Sequence, residues 1–249
     1  MLQNTDKTPI NYTACCTLAD LTHQHTIEAE KIKNAKRGDI NFYLCDNIEF
    51  MKTKPDKYYD LAIVDPPYGK VAVFNNCQPL ERPNKRPQKY KTKDWDNTKP
   101  TNEYWEQLFR VSKNQIVWGG NYFTSNLPES RGWIYWDKDN GENNFSDGEL
   151  AWTSFEKRLM SCKKNSKAET RGGKDRFHPT QKPVYLYRFC LLNYAEKGMK
   201  ILDTNGGSMT IAKACDMEGF ALDICEIDED YFNNGLKAYD EYKRQTKLF

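Results

Sequence analysis

The run Tyr59-Asp-Leu-Ala-Ile-Val64, halted by Asp65-Pro66-Pro67-Tyr68-Gly69, constrains the fold of this chain more than any other segment. A near-continuous apolar strand is one covered on both faces, as in a parallel sheet sandwiched between helices. Two successive prolines lack the donors that a central strand needs, so pairing stops there. A carboxylate followed by a stiff, donor-free backbone then stands at the strand's carboxyl end. In open α/β sheets that end is where ligands bind.

The flanking segments continue an α/β rhythm. Ile40 to Cys45 alternates like a strand, and a short helix spans Asn47 to Met51. A helix over Asn102 to Val111 precedes strands at Gln115–Trp118, Trp133–Trp136 and Glu149–Ser154. Apolar positions at helical spacing (Val184, Tyr187, Leu191, Tyr194) mark a helix within 181–195. Strands at 200–203 and 221–225, each followed by a helix (210–217 and 230–243), close the series. The expected architecture is a Rossmann-like α/β fold, a mostly parallel twisted sheet with helices on both faces. A single domain over 1–249 is expected, preceded by a polar extension over 1–38 with a helix at Leu18–Lys36.

Composition removes several classes. No run approaches the roughly 20 apolar residues of a membrane span. The eight cysteines include no Cys-x-x-Cys pair, and Cys45, Cys190 and Cys225 sit in apolar runs, so they read as reduced core residues of a cytoplasmic protein. Three scattered histidines, His23, His25 and His178, offer no metal-ligand spacing, so no metal is expected. The net charge of +2 announces no nucleic-acid partner by itself. The cations are uneven, however: Arg82, Lys85, Arg86, Lys89 and Lys91 crowd with Tyr90 into a basic loop over 70–99. That loop is too long for an ordinary connection.

Three segments carry chemistry. Asp65-Pro66-Pro67-Tyr68 suits an amine whose lone pair is delocalised into a ring. A carboxylate and the carbonyl of Pro66 would accept both amine hydrogens and free the lone pair, while Tyr68 offers a ring for stacking an extruded base. Leu202-Asp203-Thr204-Asn205-Gly206-Gly207-Ser208 lies between a strand and a helix, where glycines let backbone approach a nucleotide-like ligand. Glu226 ends the next strand at the spacing of a ribose-binding acid. The third, Phe177-His-Pro-Thr-Gln-Lys-Pro183, opens a helix with a threonine cap and, taken alone, is only a helix start. Each has an ordinary turn reading; the joint order is far more specific.

In that order the segments resemble the beta-class DNA amino-methyltransferases, in which Asp-Pro-Pro-Tyr precedes the glycine motif, including phage and restriction-modification members. The resemblance covers roughly 40–235 and extends to Val117-Trp-Gly-Gly-Asn-Tyr-Phe123. It implies a catalytic set of Asp65, Pro66, Pro67 and Tyr68. It also implies contacts to S-adenosylmethionine from Asp46, His178, Thr180, Lys182, Asp203, Asn205, Gly207, Ser208, Glu226 and Asp228, with S-adenosylhomocysteine as product. Double-stranded DNA is the implied partner, held in part by Arg82, Lys85, Arg86, Lys89, Tyr90 and Lys91. Residues 156–176 are a short segment for target recognition. Asp at the first motif position points to N6 of adenine. N4 of cytosine and a catalytically silent DNA-binding relative are the alternatives. A homodimer and a partner restriction nuclease are compatible with the resemblance. The chain departs from the family at Thr204-Asn205, where Pro-Phe is common, and at Met209, where a second glycine is usual.

Overall fold

The computed structural model describes residues 33–69, 98–139, 146–163 and 181–246. All but Lys33 belong to one unit that spans 34–249. His178, Thr180 and the six loop residues from Arg82 to Lys91 lie outside the described residues, as does the start of the N-terminal helix.

The strands are β1 (Lys33–Arg37), β2 (Ile40–Leu44), β3 (Tyr59–Val64), β4 (Ser112–Trp118), β5 (Trp133–Asp137), β6 (Gly148–Thr153), β7 (Met160–Lys163), β8 (Lys200–Asp203) and β9 (Ala221–Glu226). The helices are α1 (Asn47–Lys52), α2 (Asn102–Val111), α3 (Val184–Tyr194), α4 (Thr210–Glu218) and α5 (Glu229–Thr246). The strands form a sheet in the order β1-β2-β9-β8-β3-β4-β6-β5-β7. β2, β9, β8, β3 and β4 run parallel, and β6 is antiparallel to both β4 and β5.

The apolar run of β3 behaves as its pattern demands. Leu61 and Ile63 face the layer of α3, α4 and α5, while Ala62 and Val64 face α1 and α2. The same alternation separates Ile116 and Trp118 from Val117 in β4, and Ile201 from Leu202 in β8. Both faces of the sheet centre are therefore dry, which is why its strands read as apolar throughout. Caps set the helix starts. Asp46 Oδ1 accepts the N–H groups of Ile48 and Glu49 at 2.8 and 3.0 Å, and Thr101 Oγ1 caps α2 at Tyr104 N.

Two elements differ from the sequence expectation. Lys33–Arg37, the expected end of a helix, is strand β1, because the left-handed turn at Gly38 (φ +64°) returns the chain for pairing with β2. The expected target-recognition segment contains β7, which pairs parallel with β5 from Ile134↔Met160 to Asp137↔Lys163. Backbone pairing, which the charged and short sequences do not advertise, decides both.

The connection β3-α2-β4 leads to one side of the sheet and β8-α4-β9 to the other, so the order reverses between β3 and β8. Loops leave that switch point in opposite directions and open a crevice at the carboxyl ends.

Candidate active site

A cavity of about 380 Å³ occupies that crevice. Asp65, Pro66, Pro67 and Tyr68 supply one wall from the end of β3. Asn205, Gly207, Ser208 and Glu226 supply another from β8 and β9, with Asp46 and Lys182 completing the rim. The volume falls in the range of small-ligand sites.

The glycine turn is fastened from below. Asp203 Oδ1 accepts Asn205 N–H at 2.9 Å, and Gly206 N–H donates to Cys225 O at 2.7 Å. Gly207 adopts φ +50° and donates its N–H to Glu226 Oε2 at 2.6 Å, while Asp228 N–H reaches Glu226 Oε1 at 2.8 Å. Burial raises the Glu226 carboxyl above its ordinary value. Ile227 beside it is 59% exposed and lines the cavity, a flat apolar surface next to an acceptor.

Two residues expected to touch the cofactor do not line the cavity. Asp203 is buried beneath the turn, and burial pushes its carboxyl up to about 8. The Asp228 carboxylate accepts the N–H groups of Asp230 and Tyr231, capping α5. Both build the backbone that the cavity uses.

The departures from the family pattern have local explanations. Tyr104 OH donates to Thr204 Oγ1 at 2.7 Å and lies 3.2 Å from Asn205 Oδ1. Thr204 Oγ1 donates to the same Asn205 oxygen at 2.7 Å, so a polar triad underlies the turn. Met209 stands in the left-handed region at φ +53°, a conformation that glycine takes without cost. Its side chain is buried in the core and does not line the cavity; a Cβ at Gly235 would collide with its sulfur.

Around Asp65 the geometry is tight. Tyr68 OH donates to Asp65 Oδ1 at 2.8 Å and Lys182 Nζ to Oδ2 at 2.5 Å. Lys182, expected on the cofactor side, therefore grips the carboxylate of the Asp-Pro-Pro-Tyr motif. It is 3% exposed and also lies 3.2 Å from Glu149 Oε2. Burial opposes the charge on Lys182, yet Asp65 and Glu149 together hold its pKa above the ordinary lysine value. Burial likewise opposes charge on Glu149, and Lys182 and Lys138 override it and lower its pKa. The Tyr68 ring stacks on Tyr122 with centroids 4.7 Å apart. That placement occupies one face of the ring expected to receive a base.

Sequence reasoning missed Glu149, Tyr104, Tyr187 and Lys99, all of which line the cavity. Glu149 sits in β6, whose chemistry no motif flags. Lys99 donates to Tyr122 O at 2.7 Å at the end of the basic loop, and its charge was the available signal.

Among the described residues no cluster of three or more His, Cys, Asp or Glu is placed to hold a metal, and no helix is long and apolar enough to cross a membrane.

A comparison with curated proteins found no match. Several solved structures share the fold. M1.HpyAVI in complex with SAM superposes with a TM-score of 0.50 at 18% identity, covering 80% of this chain and 99% of that one. A putative DNA modification methylase from Thermus thermophilus, complexed with S-adenosyl-L-methionine, gives 0.50 at 12% identity, covering 80% and 92%. The family model for DNA methylases of the N6/N4 type matches residues 22–237, nearly the whole chain. With the Asp65 motif and the glycine turn facing one cavity, this chain belongs to the N6/N4 DNA methylase family.

Proposed function

We propose that this chain methylates N6 of adenine in double-stranded DNA with S-adenosylmethionine as donor. The observation that carries the reading is the convergence of Asp65-Pro66 and the Gly206-Gly207 turn on one cavity from adjacent strands. The residues fit the donor. Glu226 offers a carboxylate acceptor for ribose hydroxyls, Ile227 an apolar face for the adenine ring, and Gly206-Gly207 a close backbone approach. Asn205, Ser208 and Asp46 line the same rim. The donor supplies a methyl group already activated on a sulfonium, so little acid-base help is needed and positioning dominates.

Asp65 and the Pro66 carbonyl accept the two amine hydrogens of the target base and turn its lone pair toward the donor. Tyr68 packs beside the extruded base. Lys182 holds the Asp65 carboxylate in place between turnovers. Aspartate at the first motif position, as in the resembling family, favours adenine over cytosine. The basic loop and residues 156–176 take the duplex, the loop's cations facing phosphates. Lys99 at the cavity mouth extends that role.

Transfer of labelled methyl to duplex DNA, followed by digestion to nucleosides, tests the reading. N6-methyladenine from the wild type and none from Asp65→Ala is the expected result. N4-methylcytosine would overturn the choice of base but keep the mechanism. No transfer by a folded protein that binds duplex would replace the reading with a silent DNA-binding relative.

A further inference from the structure

Both oxygens of Asp65 are engaged, by Tyr68 OH and by the Lys182 ammonium. An amine that docks on this carboxylate competes with both for its lone pairs, and the ammonium, 2.5 Å from Oδ2, crowds that oxygen most closely. The ammonium is buried, and a buried cation without a counter-charge is strongly unfavourable. It needs a second carboxylate within reach, and one stands there. Glu149 Oε2 lies 3.2 Å from Lys182 Nζ but makes no hydrogen bond, although it is buried. The other oxygen, Oε1, is anchored by Lys138 Nζ at 2.5 Å. Backbone pairing of β6 with β5 at Trp136↔Glu149 fixes the strand beneath. The acceptor is thus rigid while the donor is the end of a flexible four-carbon stem.

We propose that Glu149 is a positioning residue for methyl transfer. It takes the Lys182 ammonium as the target amine docks, and so frees Asp65 Oδ2 for that amine. Lysine suits the task because a point charge with three rotatable donors can change partner over a short path, whereas a guanidinium would lock onto both carboxylates. The four groups Asp65, Lys182, Glu149 and Lys138 balance in charge before and after the move, and the directions of the Glu149 and Lys182 shifts agree with both being ionised. The inference rests on Asp65 being the carboxylate that receives the amine.

The test compares Glu149→Gln, Glu149→Asp, Lys182→Met and the Glu149→Gln/Lys182→Met pair in methyl transfer to duplex DNA. Calorimetric titration with S-adenosylmethionine and thermal melting accompany each. Glu149→Gln is expected to lower kcat by about 10- to 100-fold, with donor affinity within about twofold of the wild type. Glu149→Asp restores part of the loss. Because Glu149 acts through Lys182, the double variant is no slower than Lys182→Met alone. Wild-type kcat in Glu149→Gln, or losses that simply add in the double variant, overturns the proposal. Should Lys182→Met fail to fold, the kcat, donor affinity and melting of the Gln and Asp variants decide alone. A wild type that methylates no DNA overturns the Asp65 reading and this one with it, whereas an active wild type matched by Glu149→Gln overturns only this one.

Discussion

Gly119 leaves the room that the Tyr68 ring occupies: a Cβ built on Gly119 would lie 2.2 Å from Tyr68 Cε1 and 2.5 Å from Cζ. Gly119 follows β4 in the left-handed region at φ +67°. Alanine there therefore carries backbone strain of about 1–2 kcal/mol and displaces the ring that holds Asp65 Oδ1. Gly119→Ala is expected to lower kcat at least about tenfold while donor affinity stays near the wild-type value. Kinetics beside calorimetry checks it, and unchanged kcat would mean that the position of Tyr68 does not matter.

Met209→Gly pits two effects against each other. Glycine relieves left-handed strain of about 1–2 kcal/mol. Loss of a buried methionine costs about 2–5 kcal/mol. Burial wins, so the variant should be less stable by roughly 1–3 kcal/mol in urea unfolding. Because Met209 faces the core, S-adenosylmethionine affinity should not change. A more stable variant would show that strain dominates.

Glu226→Gln replaces an acceptor pair with one acceptor and one donor. Either Gly207 N–H or Asp228 N–H then meets an amide NH2. An unsatisfied buried donor costs about 1–3 kcal/mol, so donor affinity should weaken about tenfold or more. Calorimetry reads this directly, and a variant that binds like the wild type would remove Glu226 from the donor site.

Asp203 titrates from its ordinary 3.8 up to about 8 in the fold. Across that interval the native state keeps a proton that the unfolded chain has lost. The contribution is full below pH 4 and is lost as pH rises toward 8, by at most about 1.4 kcal/mol per pH unit. Asp203→Asn does not titrate and still accepts from Asn205 N–H. Its stability relative to the wild type should therefore rise between pH 5 and pH 8 in denaturant melts. A constant difference would place the Asp203 carboxyl near its ordinary value.

The sheet centre was legible because β3, β4, β8 and β9 are buried on both faces and read as apolar runs with punctuated ends. β1 was not: Lys33-Asn-Ala-Lys-Arg37 carries three cations, and only its pairing with β2 makes it a strand. β7 is four residues, and an alternation that short, Met160 and Cys162 in and Ser161 and Lys163 out, does not stand out from chance. At the site, Asp65, Tyr68 and the glycine turn announce themselves in contiguous motifs. The Lys182 grip on Asp65 joins residues 117 apart, and Glu149 belongs to neither segment. Tyr104 looks like any buried face of α2 until the fold brings it under Thr204 and Asn205. Contiguous chemistry is visible in a sequence, and chemistry assembled by sheet order is not.

The order of the strands also governs how the molecule comes into being. β2 and β3 are made early, yet the two strands that lie between them, β9 and β8, come from residues 200–226. A nascent chain that has emerged only to α3 therefore has a gap in the middle of its sheet, with the apolar edge of β3 unpaired. Closing it means bringing residues 201 and 202 alongside 61 and 62, a contact of long sequence separation that forms slowly. Chains stopped before residue 200 during synthesis should aggregate rather than persist as a functional half.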